Sequence, residues 1–369
     1  MTAPLVLLAA PVLEPGYGVA TVVRAQREIL RGAGYRTCLV ALRAAQGDLD
    51  PGVIRSGPWP VGLSSVAAAL GARLAILHGP PFLGRIPVGA RVPALHWEHG
   101  LVLPEALPEP EARRARAQVA NHARVARNAR ATACPSRFLS DRLGILARVI
   151  PNGADHLAIP RLDRTGSRRN LLTVLRTGRL EDLYKGLPDL LELPMRLGDH
   201  HPWRLRAVVS GPGDAQARLE RAGWSVVRSP TTDELARLYA EADAYLAPSR
   251  CESFDLPLVE AQRAGAAGLA LRAGAHAETC PHLYSSTEEA AAVLSGWDQL
   301  DLSDVRDRSL AFTRALTWEN HGRALLDLVG SLAAPAFAPD ADERRRAALS
   351  RLSWRIGAVL YSVGRTLMR

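Results

Sequence analysis

A chain of 369 residues exceeds one ordinary single-core domain and fits two domains of typical size. Apolar residues make up 47% and charged ones 22%, a globular balance with no low-complexity tract and no apolar run long enough to span a bilayer, which excludes fibrous, disordered and membrane-spanning classes. The formal charge of +9 points to an anionic partner, but seven arginines and no acids lie between Arg344 and Arg369, so most of the excess belongs to the C-terminal tail.

The first apolar stretch, Leu5 to Val12, lacks a basic leader and a small-residue cleavage site, so it reads as a buried first strand, and the chain is expected in the cytoplasm. A helix is predicted from Ala20 to Gly32 and a strand from Thr37 to Leu42. A helix at Val66 to Leu70 and strands at Leu74 to His78 and Val92 to Trp97 follow. A long Ala/Arg helix, Glu109 to Arg130, leads to short strands at Ala131 to Cys134 and Arg148 to Ile150. Pro151, Asn152 and Gly153 then break the pattern, and the polar stretch from Arg161 to Arg169 has no periodicity. The same grammar restarts with a strand at Leu171 to Thr177 and a helix at Leu187 to Leu197. It continues with strands at Leu205 to Val209, Ser225 to Val227 and Ala244 to Ala247, with helices between them. Alternation of this kind predicts an α/β fold with two Rossmann-like domains facing each other across a cleft. The expected division is 1–155, 156–335, and a linker with a basic amphipathic helix over 336–369. Cys38, Cys134, Cys251 and Cys280 lie far apart with no CxxC and no histidine at ligand spacing, so neither a disulfide framework nor a zinc site is indicated.

Two strand-to-helix connections in the second half carry the chemistry. In Cys251-Glu252-Ser253-Phe254-Asp255-Leu256-Pro257-Leu258-Val259-Glu260, Pro257 suits a first helical turn, whose unpaired N–H groups attract a phosphate or sugar oxygens. Glu252 in the loop and Glu260 in the opening turn would then stand near the cleft. The plainer alternative is a solvated Glu252 and a Glu260 that only complements the helix dipole. The second connection, Gly178-Arg179-Leu180-Glu181-Asp182-Leu183-Tyr184-Lys185-Gly186, holds two cations that a loop could turn toward one diphosphate. Lys185 is the only lysine among 46 basic side chains, and an ammonium fits a tight phosphate pocket that the wide guanidinium fork does not.

These segments resemble the retaining GT-B glycosyltransferases of the family 4 type, the glycosyl transferases group 1. The spacing of Glu252 and Glu260 is similar to that family's E-x7-E motif, and Arg179 and Lys185 to its diphosphate-binding pair. Ser136, the run from Ile150 to Asp155, Ala264-Gly265, Gly274 to Glu278, and Ala315-Leu316-Thr317-Trp318 match further segments, so the likeness covers most of residues 5 to 330. Asp255 stands where the family usually has glycine. Ala267-Gly268 replaces a common Pro-Val pair.

The resemblance implies a GT-B fold and transfer of a hexose from a UDP- or GDP-sugar to a glycan, glycolipid or small-molecule hydroxyl, with retention. Front-face displacement is implied, in which the departing diphosphate takes the acceptor's proton and no metal or cofactor is required. Arg179, Lys185, Glu252 and His99 are the implied catalytic residues, with Glu252 on the sugar. Glu260 on the ribose, Ser253, Phe254, Asp255, Leu256, Gly16, Gly18 and Gly211 are the implied donor contacts. His96, Glu98 and Tyr17 are candidates on the acceptor side.

The tail has apolar residues at helical spacing, Leu349, Leu352, Ile356, Val359, Leu360, Val363 and Leu367, among its arginines. Its first part is expected to pack back on the first domain, with peripheral contact to an anionic inner membrane face as the other reading. A nucleic-acid module built on the basic tail and helix lacks aromatic interleaving, so no nucleic acid is expected. A nicotinamide enzyme using Gly211-Pro212-Gly213 lacks the full fingerprint. A degenerate, non-catalytic sugar-nucleotide-binding homologue is the remaining alternative.

Overall fold

The computed structural model describes residues 3–13, 17–44, 53–55, 63–79, 91–160 and 169–333. Gly16 and the whole 336–369 tail, with its expected amphipathic helix, lie outside the described residues.

Among the described residues thirteen strands build two sheets, every described pairing parallel. The first holds β1 (Leu5–Leu13), β2 (Arg36–Ala44), β3 (Val53–Arg55), β4 (Ala72–His78), β5 (Ala94–Trp97), β6 (Ala131–Cys134) and β7 (Arg148–Val149), in the order β3-β2-β1-β4-β5-β6-β7. The second holds β8 (Arg169–Arg176), β9 (Trp203–Ser210), β10 (Ser225–Arg228), β11 (Ala244–Ala247), β12 (Ala267–Leu271) and β13 (Leu283–Tyr284), in the order β10-β9-β8-β11-β12-β13. Both are doubly wound, as the alternating sequence pattern predicts.

The reason is visible in β1, whose near-continuous apolar run is buried on both faces. Leu5, Leu7 and Ala9 enter one core with Val66 and Leu77, while Val6, Leu8 and Ala10 enter another with Val23 and Leu30. The second sheet repeats this, with Leu171 and Leu205 on one side and Leu172 and Tyr245 on the other. Strands with two apolar faces need helices on both, and parallel crossovers supply them. Each fully buried leucine contributes about 1.5–3 kcal/mol, so a one-residue slip of register would be strongly penalised.

In each sheet the strand order reverses between two neighbours, β1 and β4 in the first, β8 and β11 in the second. Crevices beyond the carboxyl ends of strands open at such points, and ligands of doubly wound sheets bind there.

The helix Trp318–Leu332 departs from the expected division. It follows the second sheet in sequence, yet Leu325, Leu328 and Val329 join the core of Val6, Leu8 and Leu30. Gly322 lies against Ile29, and Gln26 meets His321 at 3.2 Å. The return to the first domain is therefore made by residues 318–332, inside the span that the sequence pattern assigns to the second.

Candidate functional site

The loop after β8 and the loop after β11 are knitted at the second switch point. The Tyr184 carbonyl accepts from Arg250 N at 2.7 Å and from Ser249 Oγ at 3.1 Å. Gly186 has φ +80°, and a Cβ there would stand 2.4 Å from the Pro248 carbonyl oxygen, so only glycine permits this approach. The result places Lys185 Nζ 2.5 Å from Glu252 Oε1. Burial opposes the Lys185 charge, but the Glu252 carboxylate and its hydrogen bond overcome it and hold the ammonium above its ordinary range. A third loop closes on the same point. Gly274, with φ +57°, lies against the Glu252 backbone, and Ala275 N donates to the Glu252 carbonyl at 2.9 Å.

Asp255 then starts the helix Leu256–Arg263, its Oδ1 accepting from Leu258 N at 3.3 Å, with Pro257 in the first turn. Glu260 follows on that helix and is buried. Tyr239 donates to its Oε2 at 2.8 Å, and His156 Nε2 lies 3.4 Å from its Oε1. Burial first, then the Asp255 charge, push the Glu260 carboxyl up to about 8, against the opposing Tyr239 hydrogen bond. His156 is oriented in turn by Trp318, whose Nε1 donates to its Nδ1 at 3.2 Å.

The facing rim follows β5. Glu98 is buried and accepts four hydrogen bonds: from His122 at 2.8 Å, His96 at 3.2 Å, His99 N at 3.1 Å and Gly100 N at 3.3 Å. Burial would raise its pKa, but the bonds from His122 and His96 reverse this and hold it down at about 2. The carboxylate thus folds the loop that carries His99. His99 Nε2 lies 2.9 Å from His78 Nδ1, and burial lowers His99 to about 4 despite the Glu98 charge. His99 is a neutral ring at neutral pH.

The rims touch. Leu103 N donates to Cys251 Sγ at 3.1 Å, and that thiol donates to the Leu101 carbonyl at 2.9 Å. A Cβ on Gly100 would meet Ser253 Oγ at 3.0 Å. Glu278 accepts from Arg137 N and Phe138 N at 2.8 and 2.7 Å, capping the first-domain helix Arg137–Leu143 from the second domain. Tyr17, just before the helix Gly18–Gly32, lies under the Arg176 guanidinium, 3.6 Å from ring centroid to Cζ, and its hydroxyl accepts from that side chain.

Lys185 and Glu252 are thus brought together directly, while Arg179 stands apart. Its side chain is 78% exposed and bonds Glu111 of the first domain at 2.9 Å. Ser253 and Asp255 lie in the loop between β11 and the helix Leu256–Arg263. Phe254 is turned into an apolar cluster with Ala154 and Val259, which anchors the loop, and Leu256 packs against that cluster. Gly18 opens its helix and Gly211 follows β9 beside Thr177. His96 and Glu98 are buried in each other's company, so neither offers the free acceptor-side group expected of them. His276 lies in the Gly274–Glu278 segment that the sequence marks, whereas Arg176 and His156 are not singled out in the sequence. No local motif marks those two, since each acts through a partner distant along the chain.

Two doubly wound parallel sheets meeting at loops beyond their strand ends define the GT-B fold of two-domain glycosyltransferases. Residues 172–295, most of the second domain, match the family described as glycosyl transferases group 1. Solved structures similar to the whole chain include sucrose-phosphate synthase from Thermosynechococcus elongatus, at 17% identity and TM-score 0.73, covering 89% of this chain and 99% of that one. HepE of Anabaena in complex with UDP and glucose is similar at 15% identity and TM-score 0.68, over 89% and 100% of the two chains. WaaG, a glycosyltransferase involved in lipopolysaccharide biosynthesis, matches at 14% identity and TM-score 0.65, over 88% and 100%. No curated protein sequence matches the chain significantly.

Proposed function

We propose that this protein is a retaining glycosyltransferase that binds a UDP- or GDP-sugar in the interdomain crevice and transfers its hexose to a hydroxyl of a glycan, glycolipid or small molecule. The observation that carries this reading is the Lys185–Glu252 contact of 2.5 Å at the carboxyl ends of β8 and β11, opposite the His99 loop.

In this reading Lys185 and the N–H groups at the start of helix Leu256–Arg263 face the donor's diphosphate. Arg179 exchanges Glu111 for a phosphate oxygen when donor binds, which its exposed position makes inexpensive. Negative charge grows on the leaving diphosphate as the sugar bond breaks, so these cations stabilise the transition state more than the bound substrate. Glu252 accepts from sugar hydroxyls while keeping Lys185 in register. Glu260, protonated at neutral pH and beside His156, holds the ribose. A neutral His99 donates to or accepts from the hexose without bringing charge. The departing diphosphate takes the acceptor's proton, so no general base and no metal ion is required.

The test is turnover of a panel of UDP- and GDP-hexoses with product anomer assigned by NMR. A retained anomeric configuration and full activity in the presence of a chelator are expected. Inversion, or activity abolished by the chelator and restored by a divalent ion, would overturn the mechanism.

A further inference from the structure

Asp255 is one of two non-glycine residues with left-handed backbone among the described residues, at φ 60° and ψ 72°. Glycine adopts that conformation freely, whereas aspartate needs local hydrogen bonds to hold it. Both carboxylate oxygens are engaged. Oδ1 caps the helix through Leu258 N, and Oδ2 lies 3.0 Å from His276 Nε2.

His276 has no exposed surface, and its other nitrogen, Nδ1, lies 2.6 Å from the Leu271 carbonyl oxygen. A carbonyl oxygen only accepts, so Nδ1 carries a proton. An ionised carboxylate also only accepts, so Nε2 carries one as well. An imidazole with both nitrogens protonated is a cation. The N–H of Leu258 and the helix N-terminus favour negative charge on Asp255, which leaves the shared proton on the ring. Burial opposes the His276 charge, but Asp255, then Glu252 and the Leu271 carbonyl, raise its pKa overall.

The surroundings give this cation a task. Of the charged groups nearby, Lys185 is held by Glu252, Glu260 lies one turn along the helix against Tyr239, and Glu278 on the His276 segment is turned onto Arg137 N and Phe138 N. Tyr245 lies within the field of Asp255 and adds no positive charge. An unbalanced carboxylate at this helix N-terminus would oppose a diphosphate. We propose that His276 is a positioning residue, a buried imidazolium that balances the charge of Asp255, so that the loop can receive the donor's diphosphate. This rests on the donor-site reading above. The role implies that nucleotide affinity falls as pH rises through the titration of His276, since a raised histidine keeps its proton below that point and loses it above.

The test is calorimetric titration of UDP and GDP into the wild-type chain, His276→Gln, Asp255→Gly and the double variant. His276→Gln should weaken whichever nucleotide binds by about tenfold or more, because it leaves Asp255 unbalanced. Asp255→Gly, which removes the carboxylate together with its need for a counter-charge, should weaken binding less than His276→Gln, and the double variant should return to the level of Asp255→Gly. An unchanged affinity in His276→Gln, or a double variant as weak as His276→Gln, overturns the proposal and leaves the donor reading standing. Absence of binding by the wild type to both nucleotides overturns the donor reading, and the proposal with it. As a readout independent of variant folding, 15N-histidine NMR of the wild type should show His276 with both nitrogens protonated at about pH 7, where an ordinary histidine is mostly neutral. A single-proton tautomer there overturns the proposal.

Discussion

The two rims of the crevice manage charge in opposite ways. The first-domain rim gathers His78, His96, His99 and His122 around one buried carboxylate, and burial keeps His99 uncharged down to about pH 4. The second-domain rim holds close ion pairs, Lys185 with Glu252 and His276 with Asp255, beside a Glu260 that keeps its proton up to about pH 8. The first arrangement positions a loop, while the second keeps charge that an incoming anion can exploit. A neutral rim facing a paired one lets a ligand's negative end choose its side.

Removing Lys185 should break that asymmetry most severely. Lys185→Ala strips the second-domain rim of its close cation and leaves Glu252 unpaired, so on the proposed function kcat should fall by about 10²–10³-fold in a sugar-transfer assay. Near-normal turnover would mean that the diphosphate lies elsewhere. On the opposite rim the effect should be on stability. Glu98→Ala removes the acceptor of four hydrogen bonds in a buried site and should destabilise the chain by about 3 kcal/mol, read by denaturant unfolding.

Acid should separate the rims again. His99 and His321 are both lowered from 6.5 to about 4, so between those values the unfolded chain takes up protons that the folded chain refuses. Stability due to these rings is complete above pH 6.5 and is lost as pH falls toward 4, so Tm should decline across that window. Replacing His321 with a neutral residue should flatten the decline. The smallest effect on stability belongs to Arg179→Ala, because its exposed pair with Glu111 contributes under about 1 kcal/mol. Turnover should nonetheless fall by about tenfold or more if that guanidinium reaches the donor.

Much of the architecture was readable because it is periodic. The two-faced apolar strands, the interruption at Pro151 to Gly153 and the strand-to-helix connections at 178–186 and 248–260 are local patterns, and the sheets follow them. Contacts across long separations left no such trace. Arg176 stacks on Tyr17, Glu278 caps a helix at Arg137, and the helix Trp318–Leu332 seats Leu325 against the first sheet. An amphipathic helix announces that it has an apolar face but not which domain will cover it. The departure at Asp255 was visible in the sequence. Its physical answer, a left-handed aspartate balanced by a histidine 21 positions later, required the fold.

The decisive measurement is calorimetric titration of the wild-type chain and Lys185→Ala with a panel of UDP- and GDP-hexoses. Binding of at least one sugar nucleotide by the wild type, weakened by about tenfold or more in the variant, is the expected result. No heat from any member of the panel, or equal affinity in both proteins, would contradict the assignment of a diphosphate to the crevice beside Lys185.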